Sequence, residues 1–137
     1  PQYWEGLSAK EFLQEIEEWL QRDKRLGIQS ISRHEKIDAQ SNAADTVRSF
    51  GYLAKALLEK GLHFNLVVFG GDTAMGIMEA IEVSSLQPIT EIVPGVSLSK
   101  LKCKYGELTL ISKAGGFGPE NVLEMIMNNL KECVQPC

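Results

Sequence analysis

Long apolar runs are missing from this sequence. None reaches the roughly eighteen residues that a membrane-spanning helix needs, so a membrane partner is not expected. The start, Pro1-Gln2-Tyr3-Trp4, has neither a basic region nor an apolar stretch, so no signal peptide is read there. Cysteine is scarce: Cys103, Cys133 and Cys137 make an odd count with no Cys-x-x-Cys pair. That excludes a disulfide framework and a zinc knuckle, and it fits reduced thiols in a cytoplasmic protein. The two histidines, His34 and His63, stand apart from the cysteines, so no metal site is expected. Basic charge is also short, with 14 Lys and Arg against 18 Asp and Glu and a net charge of −4. Arg22, Lys24 and Arg25 form the one small cluster, read as a solvated helix end, and no nucleic-acid partner is expected. Three catalytic or nucleotide signatures are absent. There is no Walker loop of Gly-x-x-x-x-Gly-Lys-Ser/Thr, and no Gly-x-Ser-x-Gly elbow. Gly70, Gly71 and Gly76 do not fall in the dinucleotide spacing Gly-x-Gly-x-x-Gly.

What remains is ordinary globular composition, 44% hydrophobic and 23% charged over 137 residues, read as one domain over 1–137. Ser8 and Glu11 have capping-box spacing, and Phe12, Leu13, Ile16, Trp19 and Leu20 follow at helical intervals, which predicts a helix over 9–22. Trp4 and Trp19 are expected to anchor it, and Gly27 to close the turn that follows. A short strand over 28–32 and a polar loop over 33–40 come next. Ala43, Val47, Phe50, Ala54, Leu57 and Leu58 make the stripe of a helix over 41–60, with Gly61 as its C-cap. The run 64–69 reads as a buried parallel strand, and a helix follows over 73–83. Strands are expected over 89–93 and 108–112. The stretch 94–107 has room for a hairpin with its turn at Tyr105-Gly106-Glu107 and is of open polarity. A last helix begins with Pro119 at its first position, Glu120 in the first turn and Lys131 in the last. The alternation predicts the α/β class: a layered αβα domain with a mostly parallel sheet.

Two turns in this frame are suited to anions. In Phe69-Gly70-Gly71-Asp72-Thr73-Ala74 a buried strand passes through two glycines into a helix. Glycine lets a ligand approach the backbone, and a helix start offers unpaired N–H groups with a positive dipole end. Thr73 adds a hydroxyl, and Asp72 is read either as a metal-orienting group or as an N-cap. Ser112-Lys113-Ala114-Gly115-Gly116-Phe117-Gly118 repeats the device, with Lys113 as a point charge. In a parallel sheet both turns lie at the carboxyl ends of strands, where such folds bind ligands. Pro94-Gly95 reads as a turn, Ser97 as part of it, Glu91 as a surface carboxylate, and Met75, Met78, Met125 and Met127 as core filler.

Taken together, Phe69-Gly-Gly-Asp-Thr-Ala74, Glu91-Ile-Val-Pro-Gly-Val96 and Ser112-Lys-Ala-Gly-Gly-Phe-Gly118 resemble the C-terminal nucleotide-binding domain of the four-carbon acid sugar kinases. That family includes 3-oxo-tetronate, threonate and erythronate kinases. The resemblance extends over about 27–130 and implies ATP-dependent phosphorylation of a terminal hydroxyl on a four-carbon sugar acid, with Mg²⁺ accompanying ATP. It carries ATP binding onto Gly70, Gly71, Asp72, Thr73, Ala74, Gly115 and Gly116. The family's N-terminal sugar-acid domain and an upstream glycine-serine loop are not in this chain. The chain is therefore expected to be a fragment, inactive as a kinase by itself, with its sugar acid and general base supplied by the missing domain. The rival expectation is a non-enzymatic α/β module that senses a nucleotide or a phosphorylated metabolite.

Overall fold

Apolar residues at intervals of three and four place α1 (Ala9–Asp23) and α2 (Ala43–Glu59) close to where their periodicity predicts them. The computed structural model describes residues 9–28, 43–116 and 119–133. The expected positions of Ser8 and Trp4, and all of the strand and loop over 28–40 except Ile28, lie outside these residues; Ile28 is not in a strand. In α1 Ile16 is fully buried, but Trp19 is 44% exposed and lies under the Arg22 guanidinium, 4.1 Å from its ring centre. Trp19 is therefore not an anchor; a cation held over its face keeps it at the surface. The helix ends at Asp23, one residue past the expected bound, and the left-handed residue that follows it is Lys24, with φ 60°, rather than Gly27. Helix α2 ends as its sequence predicts. Gly61 takes φ 80°, and Gly61 N–H and Leu62 N–H bond back to the carbonyls of Leu58 and Leu57, a Schellman cap.

The remaining elements are β1 (Leu66–Phe69), α3 (Gly71–Ala80), β2 (Ser85–Val93), β3 (Val96–Cys103), β4 (Gly106–Lys113) and α4 (Val122–Cys133). The four strands form one sheet in the order β1-β4-β3-β2. Only β1 and β4 run parallel; β3 is antiparallel to both β4 and β2. The expectation of a mostly parallel sheet is corrected to a mixed one. Two short turns, Pro94-Gly95 and Lys104-Tyr105, separate the last three strands. A turn of that length reverses the chain, whereas a parallel pair needs a long crossover. The crossover that makes β1 and β4 parallel is the whole of α3, β2 and β3.

Each face of the sheet carries its own core. Ala54 and Leu58 of α2 and Ala74, Ile77 and Ile81 at α3 pack with Val68, Leu101, Cys103, Leu108 and Leu110. Val122 and Ile126 of α4 pack with Val96, Leu98 and Ile111, flanked by Val67. Neighbours such as Val67 and Val68, or Leu110 and Ile111, point to opposite clusters, as the pleat requires. Helices thus cover both faces. Helix α4 starts at Val122, so Pro119 is not at its first position; the Pro119 carbonyl instead accepts from Val122 N–H in the preceding turn.

The far end of the sheet is tied down by polar contacts. Tyr105 Oη donates to Glu59 at the end of α2, and Lys104 pairs with Glu82 just past α3. The Lys104 hydrogen bond and charge hold the Glu82 carboxyl below its ordinary range, and the same bond raises the Lys104 ammonium.

Candidate nucleotide site

The parallel pairing of β1 with β4 sets Phe69 opposite Lys113, so both glycine turns leave the sheet side by side. Gly70 N–H donates to the Lys113 carbonyl at 3.0 Å, which joins the two turns directly. Antiparallel β3 begins at the same end, with Val96 opposite Lys113, and Ala114 N–H donates to the Gly95 carbonyl at 3.0 Å. All three motifs singled out in the sequence therefore meet at one edge. Glu91 has a partner there, accepting from Gly95 N–H at 2.8 Å, and so braces the Pro94-Gly95 turn. Ser97 Oγ lies 2.9 Å from Ser112 Oγ, a cross-strand bond within the sheet rather than a group aimed at a ligand.

Within the first turn, Gly70 takes φ 113°, a region closed to most side chains, and stands at the N-cap with no side-chain cap. Asp72 is therefore not the N-cap; it is an exposed carboxylate in the first turn of α3. The Ala74 side chain is buried, and its N–H already donates to the Gly70 carbonyl, so Ala74 supports the turn from inside the core. The amides of Gly71, Asp72 and Thr73 are those that a helix start leaves without an intrahelical partner. Gly71, Gly115 and Gly116 are exposed, and a methyl group added at any of them would meet nothing within 4 Å. Phe117 and Gly118 lie outside the described residues.

Lys113 is the surprise of the second turn. It is buried, with only 9% of its surface exposed, and its ammonium donates to the carbonyls of Gly115 at 2.5 Å and Ala114 at 3.3 Å. The Phe69 ring centre is 5.9 Å away. Among the described residues no carboxylate pairs with it. One cation thus draws two carbonyls inward and holds positive charge beneath the turn. The sequence marks this only through strand parity, since Lys113 stands two residues from the fully buried Ile111.

Gly76, part of the first motif, serves packing. A Cβ there would lie 2.2 Å from Val47 Cγ1, and one at Gly51 would lie 2.8 Å from Ala80 Cβ and 2.9 Å from the Gly76 carbonyl oxygen. The contacts advance from 47 to 51 and from 76 to 80, so α2 and α3 run parallel and begin at the same end. A groove of about 600 Å³ follows this seam, lined by Ala44, Val47, Tyr52, Asp72, Gly76 and Ala80 among others. It shares Asp72 with the first turn but none of the glycines at 70, 71, 115 or 116. The expectation for the methionines holds only partly: Met78 packs against the core while Met75 is 57% exposed. Among the described residues no three His, Cys, Asp or Glu are grouped to hold a metal ion, and no helix is long and apolar enough to cross a membrane.

Comparison with known proteins decides the family. Residues 8–123 match the family model described as the nucleotide-binding C-terminal domain. The D-threonate kinase of Bordetella bronchiseptica is 33% identical over 97 residues, which is 70% of this chain and 23% of that protein. This chain belongs to the four-carbon acid sugar kinase family. It corresponds to the family's C-terminal nucleotide-binding domain. Crystal structures of a Bordetella bronchiseptica domain of unknown function, solved with bound citrate as a domain-swapped dimer in two crystal forms, share the fold. One has a TM-score of 0.60 at 30% identity over 72% of this chain and 25% of its own; the other has 0.66 at 26% identity over 90% and 31%. The chain therefore spans between 23% and 31% of the length of these relatives.

Proposed function

We propose that this chain holds ATP for a kinase that phosphorylates a terminal hydroxyl of a four-carbon sugar acid. The observation that carries the reading is the β1–β4 pairing, sealed by the Gly70–Lys113 backbone bond, which brings two glycine turns to one sheet end. The residues fit a polyphosphate. Gly71, Asp72 and Thr73 offer amides at a helix start, Gly115 and Gly116 leave the neighbouring surface free of side chains, and Lys113 supplies charge from below. Gly70 and Ala74 act through shape, their amides being engaged in the fold.

Phosphoryl transfer asks a protein for positioning and charge neutralisation more than for covalent help. Bound ATP would supply the transferred group, and an accompanying Mg²⁺ would screen its charge. Asp72 is the one carboxylate in the first turn of α3 and would hold the ion or its waters. On this reading the sugar acid and the general base would come from outside residues 1–137, since the chain spans 23% of the D-threonate kinase it resembles.

Calorimetric titration of the intact protein with ATP–Mg²⁺ tests the reading. Saturable binding is expected, as is ADP release with threonate, erythronate or 3-oxo-tetronate. Gly71→Val should abolish affinity while leaving the fold intact, because a Cβ added there meets no protein atom within 4 Å and the rest of the side chain would extend into the space over the turn. An intact protein that does not bind ATP would overturn the proposal.

A further inference from the structure

Strand β2 is out of keeping with the rest of the sheet. It has nine residues, yet Ser85 to Glu91 are exposed throughout, and only Ile92 and Val93 reach a core. No residue of β2 belongs to the core beneath α2 and α3. The register shows where that cover stops. Leu86 stands opposite Leu101 and so on the same face, but Leu101 is fully buried while Leu86 is 46% exposed. Ile89, at the register shift after Pro88, is 48% exposed. Free edges are ordinarily guarded by charged side chains. This strand has no Lys or Arg, and its one carboxylate, Glu91, turns back to the Gly95 N–H.

The backbone separates two kinds of cover. A strand added along the edge needs a row of free N–H and C=O groups. Pro88 has no N–H, and the ladder with β3 is irregular between Pro88 and Thr90 and again between Glu91 and Val93. These features blunt the edge, so a second copy pairing strand to strand along β2 is disfavoured. The side chains remain open to an apolar surface packed across them. This chain spans 23% to 31% of the length of its relatives, so an intact protein built like them holds most of its mass outside this domain. We infer that Leu86, Pro88 and Ile89 seat the part of the intact polypeptide that lies outside residues 1–137, through an apolar, uncharged patch of that part. The seat lies away from the glycine turns, because Leu86 is about 20 Å along the strand from Val93, the end of β2 beside them. The inference does not depend on what those turns bind.

The test is photo-crosslinking in the intact protein, with photoreactive benzoylphenylalanine in place of Leu86 or of Ile89. Crosslinked peptides from outside residues 1–137 are expected. Crosslinks only to peptides within 1–137, whether of the same molecule or of a second copy, overturn the inference, and so does an absence of crosslinks. Leu86→Lys combined with Ile89→Lys gives a second readout. Both side chains are about half exposed, so this domain should still fold, as circular dichroism would show. Charge in an apolar seat should part the interface, and small-angle scattering should report a larger radius of gyration than for wild type. An unchanged radius in the folded variant overturns the inference.

Discussion

Gly51→Ala is a small change with a calculable effect. The new methyl carbon would lie 2.8 Å from Ala80 Cβ and 2.9 Å from the Gly76 carbonyl oxygen. Neither obstacle belongs to a rotatable side chain, so relief requires α2 and α3 to move apart. Overpacking of this kind costs about 1–3 kcal/mol, and replacing a helical glycine by alanine returns about 1 kcal/mol. The expected net destabilisation is about 1 kcal/mol, or a fall in melting temperature of roughly 3–5 °C for a domain of this size. Circular dichroism melts of wild type, Gly51→Ala and Tyr52→Ala make the comparison internal, because Tyr52 is the next residue along α2 and is exposed. Moving α3 also shifts the turn at its start, so Gly51→Ala should weaken ATP binding as well. If Gly51→Ala melts at or above wild type, the close helix approach is not a constraint and the reasoning fails.

Lys113→Met keeps most of the side-chain volume and removes the cation that gathers the Ala114 and Gly115 carbonyls. It should speed amide hydrogen exchange at 114–116 and weaken ATP binding by about tenfold, equivalent to about 1.4 kcal/mol; Lys113→Arg should recover part of the affinity. Ile111→Ala removes a fully buried side chain facing α4 and should cost about 2–5 kcal/mol in denaturant unfolding. The Glu82 carboxyl is held below its ordinary range by Lys104, so the stability from that link is present above the usual carboxylate range and lost as pH falls through the lowered value. Glu82→Gln should therefore flatten the acid limb of melting temperature against pH without altering the neutral plateau's shape.

The helices and the glycine turns were legible because their signals are local. Gly61 occupies the helix C-cap that its place after Glu59-Lys60 suggests, and the Phe69-Gly70-Gly71 junction turns from strand to helix as read. The hairpin for which 94–107 had room is present: β3 turns at Lys104-Tyr105 into β4. The bounds and polarity of β3 were not legible, for a physical reason. Its buried side chains change faces along its length: Val96 and Leu98 pack against the α4 side, Leu101 and Cys103 against the α2–α3 side. A period-two search sees no single alternation, although the pleat is regular. The expectation of a mostly parallel sheet failed at the same place, since a β3 of open polarity left nothing fixed between β2 and β4. At the site, the two turns could be placed at strand ends from the sequence, but their adjacency depends on the long-range β1–β4 pairing. For Lys113 the one local mark of burial is its parity with Ile111, and no local pattern marks Asp72 as lying inside the helix rather than capping it.

The most direct measurement follows the amide signals of isotope-labelled glycines in the intact protein during titration with ATP–Mg²⁺. One ligand held between the two turns predicts that Gly70, Gly71, Gly115 and Gly116 shift together along a single binding curve. Shifts confined to one turn, or separate curves for the two, would contradict it.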